Sequence, residues 1–217
     1  MTKKCPYHRR PTAASVARFA RKTDRENPKF AADYTGTRAV FQAFFHNRNE
    51  NSVYIKVHMV NTIFNTQIRD PHGLARRLSK KVKELDRRLK RGDETLIEEV
   101  GRYIAKSGQS FRFYSFATKF CHCHNPGSFP IYDSAKALSL YEFNKIHSFS
   151  EFSKTSIYKD YAVFKKVLQD FIDRFELNRL KKNEVDRFLW KLGLDAKQEK
   201  ERIRNLRRII AEKSSRS

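Results

Sequence analysis

The chain has 217 residues, with 46 lysines and arginines against 24 aspartates and glutamates, a formal charge of +22 and a pI near 10.1. That length suits one domain with an appendage. No stretch approaches the roughly 18 to 20 apolar residues that span a bilayer, and Met1-Thr2-Lys3-Lys4 leads into polar and basic residues rather than a secretory apolar run. Three cysteines make no disulfide framework, so a reducing cytoplasm is expected, and so much positive charge calls for a polyanionic partner, nucleic acid before any other.

Residues 1–30 read as a basic arm with one short helix over Ala14 to Arg21. Its Arg9, Arg10, Arg18, Arg21 and Lys22 either contact phosphates or form a solvated charged face. Thr37 to His46 is expected to be helical, with Val40, Phe41, Phe44 and Phe45 as a core stripe. Ser52 to Ile68 follows, with Val53, Val57, Val60, Ile63 and Phe64 on one side and Asn65, Thr66 and Gln67 at its end. Leu74, Leu78, Val82, Leu85 and Leu89 recur every three or four residues, which predicts one amphipathic helix from Gly73 to Lys90 with an outer face of Arg and Lys, closed by Gly92. Asp93 is expected to cap the next helix, with Leu96, Ile97, Val100 and Ile104 inward and Gly108 as its stop.

The stretch Phe113 to Ala137 organises the reading. Ser115 to His124 has no helix breaker; Asn125, Pro126 and Gly127 end that helix, and Pro130 keeps the next residues extended. Asp133 or Ser134 then opens another helix, where a short side-chain oxygen accepts from first-turn N–H groups and a carboxylate lies at the positive end of the dipole. That helix runs on from Ala135 to Tyr141, and residues 142–156 form a connection. Tyr158 to Phe175 is expected to be helical, with Tyr161, Phe164, Leu168, Phe171, Ile172 and Phe175 buried. A short helix from Lys182 or Asn183 through Trp190 is closed by Gly193. From Asp195, charge interleaved with Ile203, Leu206, Ile209 and Ile210 forms either a docked helix or one that orders on DNA.

No strand-period pattern appears, so the fold class is all-α, with a basic arm (1–30), a helical domain (31–193) and a basic C-terminal helix and tail (194–217). Cys121, His122, Cys123 and His124 suggest zinc. Neighbours on one helix diverge by about 100°, however, whereas zinc needs four converging ligands; no metal or other cofactor is expected.

Two segments, Ser115-Phe116-Ala117-Thr118-Lys119 and Pro130-Ile131-Tyr132-Asp133-Ser134, resemble the core of the helix-hairpin-helix DNA glycosylases, in which a Gly-x-Gly-x-Lys hairpin precedes a helix and the chain later reads Pro-Val-Asp-(Thr/Ser). Ser115 and Ala117 replace the hairpin glycines, and Tyr132 is inserted before the aspartate. Phe64-Asn65-Thr66-Gln67-Ile68 resembles the Leu-Ser-x-Gln-Thr run that lines the base pocket in that family. The resemblance implies a compact multi-helix glycosylase-like domain acting as a monomer on duplex DNA. Asp133 would be the catalytic carboxylate, and Lys119 either the attacking amine or an electrostatic partner. Asn65, Gln67, Tyr132 and His122 would line the base pocket, and Arg69, Arg112, Lys136, Arg204, Arg207 and Arg208 would contact DNA. The implied reaction is excision of an extruded modified base, in repair or in defence against viral DNA. The competing classes are a non-enzymatic nucleic-acid-binding protein and a basic ribonucleoprotein subunit.

Overall fold

The computed structural model describes residues 6–44, 46–47, 49–104 and 107–214, with side chains through Arg208 and at Ala211. Phe45, the Ile209 and Ile210 side chains and Cys5 lie outside the described residues. Among those described, the regular structure is eleven α-helices, a single 3-10 turn and one two-stranded ladder; the protein is all-α in class. The chain divides into two compact units, Met1–Arg25 with Asp133–Ser217, and Glu26–Tyr132.

The unit Glu26–Tyr132 holds α2 (Pro28–Ala43), α3 (Glu50–Ile63), α4 (Pro71–Ser79), α5 (Val82–Arg91), α6 (Leu96–Gly101), the strands β1 (Arg102–Ile104) and β2 (Ser110–Arg112), and α7 (Tyr114–His124). Asn49 and Ser52 form a reciprocal capping box that starts α3. Asp70 accepts from Gly73 N–H at 2.8 Å, with Pro71 in the first turn, to start α4. Gly92, at φ 75°, closes α5 in the left-handed conformation that a side chain would resist. The core gathers Phe41, Val53, Val57, Val60, Leu74 and Leu89 around α7, whose Phe116 and Phe120 are fully enclosed.

The structure departs from the sequence pattern in several places. The Gly73–Lys90 helix is two helices, because the Ser79 hydroxyl bonds the Arg76 carbonyl and Lys81 leaves helical geometry (φ −133°). The break preserves the phase of the leucines, so periodicity could not reveal it. The helix after Gly92 is capped at Thr95, with Asp93 accepting from the Thr95 N–H and hydroxyl, and it ends at Gly101. Ile104 is not inward but 61% exposed on β1, which pairs antiparallel with β2 in the register Tyr103 opposite Phe111. Strands of three residues are too short to leave an alternating signature. Phe44, expected in a core stripe, is 62% exposed just past the end of α2.

Within this unit Lys56 is completely buried, donating to Asn47 Oδ1 at 2.9 Å, while Asn47 donates to Asp86 through its side chain at 2.5 Å and its backbone N–H at 3.0 Å. Burial lowers the Lys56 pKa to about 8, against a smaller opposing pull from Asp86. Between that value and the unfolded lysine's ordinary pKa near 10.5, the unfolded chain binds the extra proton. Stability therefore rises with pH across this window. Denaturant unfolding at stepped pH should show the rise in the parent and a flatter profile in Lys56→Met; parallel profiles would exclude this role.

The other unit holds α1 (Ala13–Glu26), α8 (Ser134–His147), α9 (Lys154–Lys159), α10 (Tyr161–Arg174) and α11 (Lys182–Ser214). Helix α1 packs on α11 through an edge-on Phe19–Phe188 contact at 5.4 Å and the Asp24–Arg187 ion pair at 2.7 Å. Helix α8 runs past Tyr141 to His147, and Asp160 separates α9 from α10 by capping the latter, accepting from Ala162 and Val163 N–H. The expected break at Gly193 is absent: α11 is continuous for 33 residues. Gly193 instead lets α11 approach α8, since a Cβ there would lie 1.8 Å from the Ala135 carbonyl oxygen. The Tyr7 hydroxyl donates to Leu192 O at 3.2 Å, and Ser139 donates to Leu189 O at 2.7 Å along the same seam.

Candidate functional site

Asp133 is the N-cap of α8, as the sequence predicts, with extended backbone (φ −143°, ψ 139°). Its Oδ1 accepts from Ala135 N–H at 2.7 Å, and the side chain is half-buried. Among the described residues, Oδ2 accepts no hydrogen bond. Helix α11 braces this end of α8: Lys197 donates to Ser134 Oγ at 2.6 Å, Lys136 pairs with Asp186, and Gly193 abuts the Ala135 backbone. The carboxylate therefore sits on a helix terminus clamped from the side by a second helix.

Lys119 belongs to the other unit. It lies on α7, 8% exposed, donating to Ser115 Oγ at 2.8 Å, with its ammonium 5.7 Å from the Phe64 ring. Phe64 leads directly into the Asn65–Gln67 loop, so Lys119 lies beside the residue from which that loop departs. Asn65 (φ 47°) and Gln67 (φ 58°) both take left-handed backbone, which leaves their side chains exposed. The Asn61 side chain enforces that shape by accepting from the Thr66 hydroxyl and Ile68 N–H, both at 2.9 Å, and donating to Ile68 O at 3.1 Å. Non-glycine residues in this region cost about 1 kcal/mol or more each.

Tyr132 is buried, its N–H bound to Thr118 Oγ1 at 3.2 Å and its ring 4.3 Å from Tyr114. Arg112 stacks on the other partner of that pair, its guanidinium 4.9 Å from the Tyr114 ring, while also pairing with Glu98. His122 donates through Nδ1 to Phe129 O at 2.7 Å and shares a 2.7 Å hydrogen bond between Nε2 and the Tyr34 hydroxyl. It thereby pins the extended run before Tyr132 to α7. Cys121 and Cys123 are buried, their thiols pushed up by desolvation, Cys123 to about 12. Sequence reasoning missed Thr118 and Asn61, which hold this geometry; both are small polar residues beside apolar ones, and only their long-range partners mark them.

The expected DNA-contact residues divide. Arg69, Arg207 and Arg208 are exposed. Arg204 is exposed but paired with Glu201 at 2.6 Å, Arg112 is paired with Glu98, and Lys136 is 1% exposed and paired with Asp186. As placed, Lys136 is engaged inside the fold and presents no charge to a phosphate.

A model of the HI_0787_N family, described as an N-terminal domain, matches residues 15–128, just over half of the chain. The chain belongs to this family. It is also 42% identical over 137 residues to a Haemophilus influenzae protein described as uncharacterized, a stretch covering 63% of this chain and 64% of that protein. The chain thus spans about 64% of that relative's length. No solved structure matches. The family match takes in Asn65, Gln67, Arg69, Arg112, Lys119 and His122 and stops before Tyr132 and Asp133. No helix among the described residues is long and apolar enough to cross a membrane.

Proposed function

We propose that this chain is a DNA glycosylase-like enzyme that takes an extruded nucleotide and breaks its N-glycosidic bond. The observation that carries the reading is Asp133, held by one oxygen on the first turn of α8 with the other accepting no hydrogen bond among the described residues. A carboxylate so positioned can stabilise the oxocarbenium-like sugar and direct a water to it. The C1′–N bond breaks, the water oxygen ends on C1′, and its proton leaves with the base. Extrusion costs a few kcal/mol of unstacking, to be offset by the basic surface. Separately, the exposed amides of Asn65 and Gln67 carry donors and acceptors of the kind that read a base.

The Ser115 hydrogen bond and low exposure of Lys119 favour an electrostatic role over attack on the sugar, hence release of a base with the abasic strand intact. Borohydride added during turnover is therefore expected to trap no adduct; a covalent complex lost in Lys119→Ala would assign the amine as nucleophile instead. The reaction itself is tested on duplexes carrying alkylated, oxidised, deaminated or hypermodified bases, followed by alkali. Strand breaks confined to one modified position support the enzyme and name its base, distinguishing repair from antiviral defence. The internal positions of Lys119 and Tyr132 favour a second reading, a nucleic-acid-binding protein without catalysis. It would show binding to every duplex and breaks in none.

A further inference from the structure

The neutralised state of Arg112, Lys136 and Arg204 leaves open which surface meets the polyanion. Every exposed residue between Lys80 and Arg91 is a lysine or arginine: Lys80, Lys81, Lys83, Arg87, Lys90 and Arg91. None of them has a carboxylate within ion-pair distance among the described residues. The acids of the same segment are drawn away, Glu84 to Arg88 at 3.8 Å and Asp86 to Asn47. Lys83, Arg87 and Lys90 are four and three residues apart and so share one face of α5. With the flanking cations the stripe extends for about 16 Å along the axis.

We propose that this outer face of α5 is the surface on which the chain grips the phosphodiester backbone of duplex DNA. The proposal rests on the nucleic-acid reading above but not on catalysis. Like charges massed without counter-charge repel one another until an anion intervenes. No apolar side chain is exposed between them, so the face has nothing to insert into a bilayer and no apolar centre of the kind that anchors a protein partner. Contacts of this sort fix position on the duplex without reading its sequence.

The full-length chain is titrated with an unmodified duplex of about 30 base pairs over about 50 to 200 mM salt, where log affinity falls against log salt by about 0.9 per phosphate contact. Replacing Lys83, Arg87 and Lys90 together by Gln is expected to make the slope shallower by about 2.7, so that its disadvantage relative to the parent shrinks about 40-fold across that range. The comparison variant replaces Lys145, Lys166 and Lys200 by Gln, removing equal charge from cations that already face Glu142 or Asp170, and is expected to keep the parent slope. The swap Lys83→Arg, Arg87→Lys and Lys90→Arg is also expected to keep it, with circular dichroism verifying that all variants fold. Equal slopes for the parent and the α5 triple overturn the proposal, as do equal losses in both Gln triples. Loss of binding to phosphatidylserine vesicles with duplex binding intact would also overturn it. A parent that binds no duplex at any salt defeats the nucleic-acid reading itself.

Discussion

If the proposed excision is the chain's reaction, Asp133→Asn is expected to lower base release by about 10²- to 10⁴-fold while the unfolding midpoint stays close to that of the parent. The two readouts are expected to separate because the proposed catalytic role needs the charge, whereas the cap needs only an acceptor oxygen. Asparagine caps a helix about as well as aspartate, and its amide oxygen can still accept from Ala135 N–H, the bond that holds Oδ1 at 2.7 Å. The substitution removes the negative charge and leaves the cap. Asp133→Ala removes both and should add a stability loss of about 1 kcal/mol. Single-turnover excision with alkaline cleavage measures the first effect, and thermal melts the second. An Asn variant as active as the parent would reduce Asp133 to a cap and leave the binding protein as the better reading.

Gly193→Ala destabilises the unit that contains Asp133 by about 3 kcal/mol or more. In an isolated helix the same change would stabilise by about 1 kcal/mol, so even the sign is informative. The added methyl would stand 1.8 Å from the Ala135 carbonyl oxygen, 2.5 Å from its carbon and 2.9 Å from its Cα. These are backbone atoms of α8 and cannot swing aside as a side-chain tip does. Helix α11 would have to retreat, weakening the Ser139–Leu189 and Tyr7–Leu192 hydrogen bonds and the Lys136–Asp186 pair together. Denaturant unfolding measures the loss. A neutral or stabilising result would mean that α8 and α11 are not held this close. On the proposed function, excision is expected to fall with it, since the same seam braces the start of α8.

Residues whose signals are local were legible in the chain alone. Asp133 as a cap needs only a short acidic side chain before a helical run and an extended, proline-bounded approach. Gly92 as a terminator needs only its freedom at positive φ. Val53, Val57 and Val60, like Leu85 and Leu89, announce a buried stripe by their spacing, and all five are buried. The break near Lys80 was hidden because the leucines keep phase across it. Gly193 carries an ambiguous signal, because a glycine that ends a helix and one that admits a neighbouring helix look alike until the neighbour is known.

An all-α chain of strongly positive charge, its caps, and the apolar face of several helices can be read from the residue order, since these follow from interactions within a few residues. Which cations are neutralised depends on the fold. Lys136 finds Asp186 from 50 residues away, and Arg112 finds Glu98 from 14, whereas the cations on the outer face of α5 meet no acid among the described residues. Net charge is a sum over residues, but the field a partner meets depends on where opposite charges come to lie, and folding sets those distances.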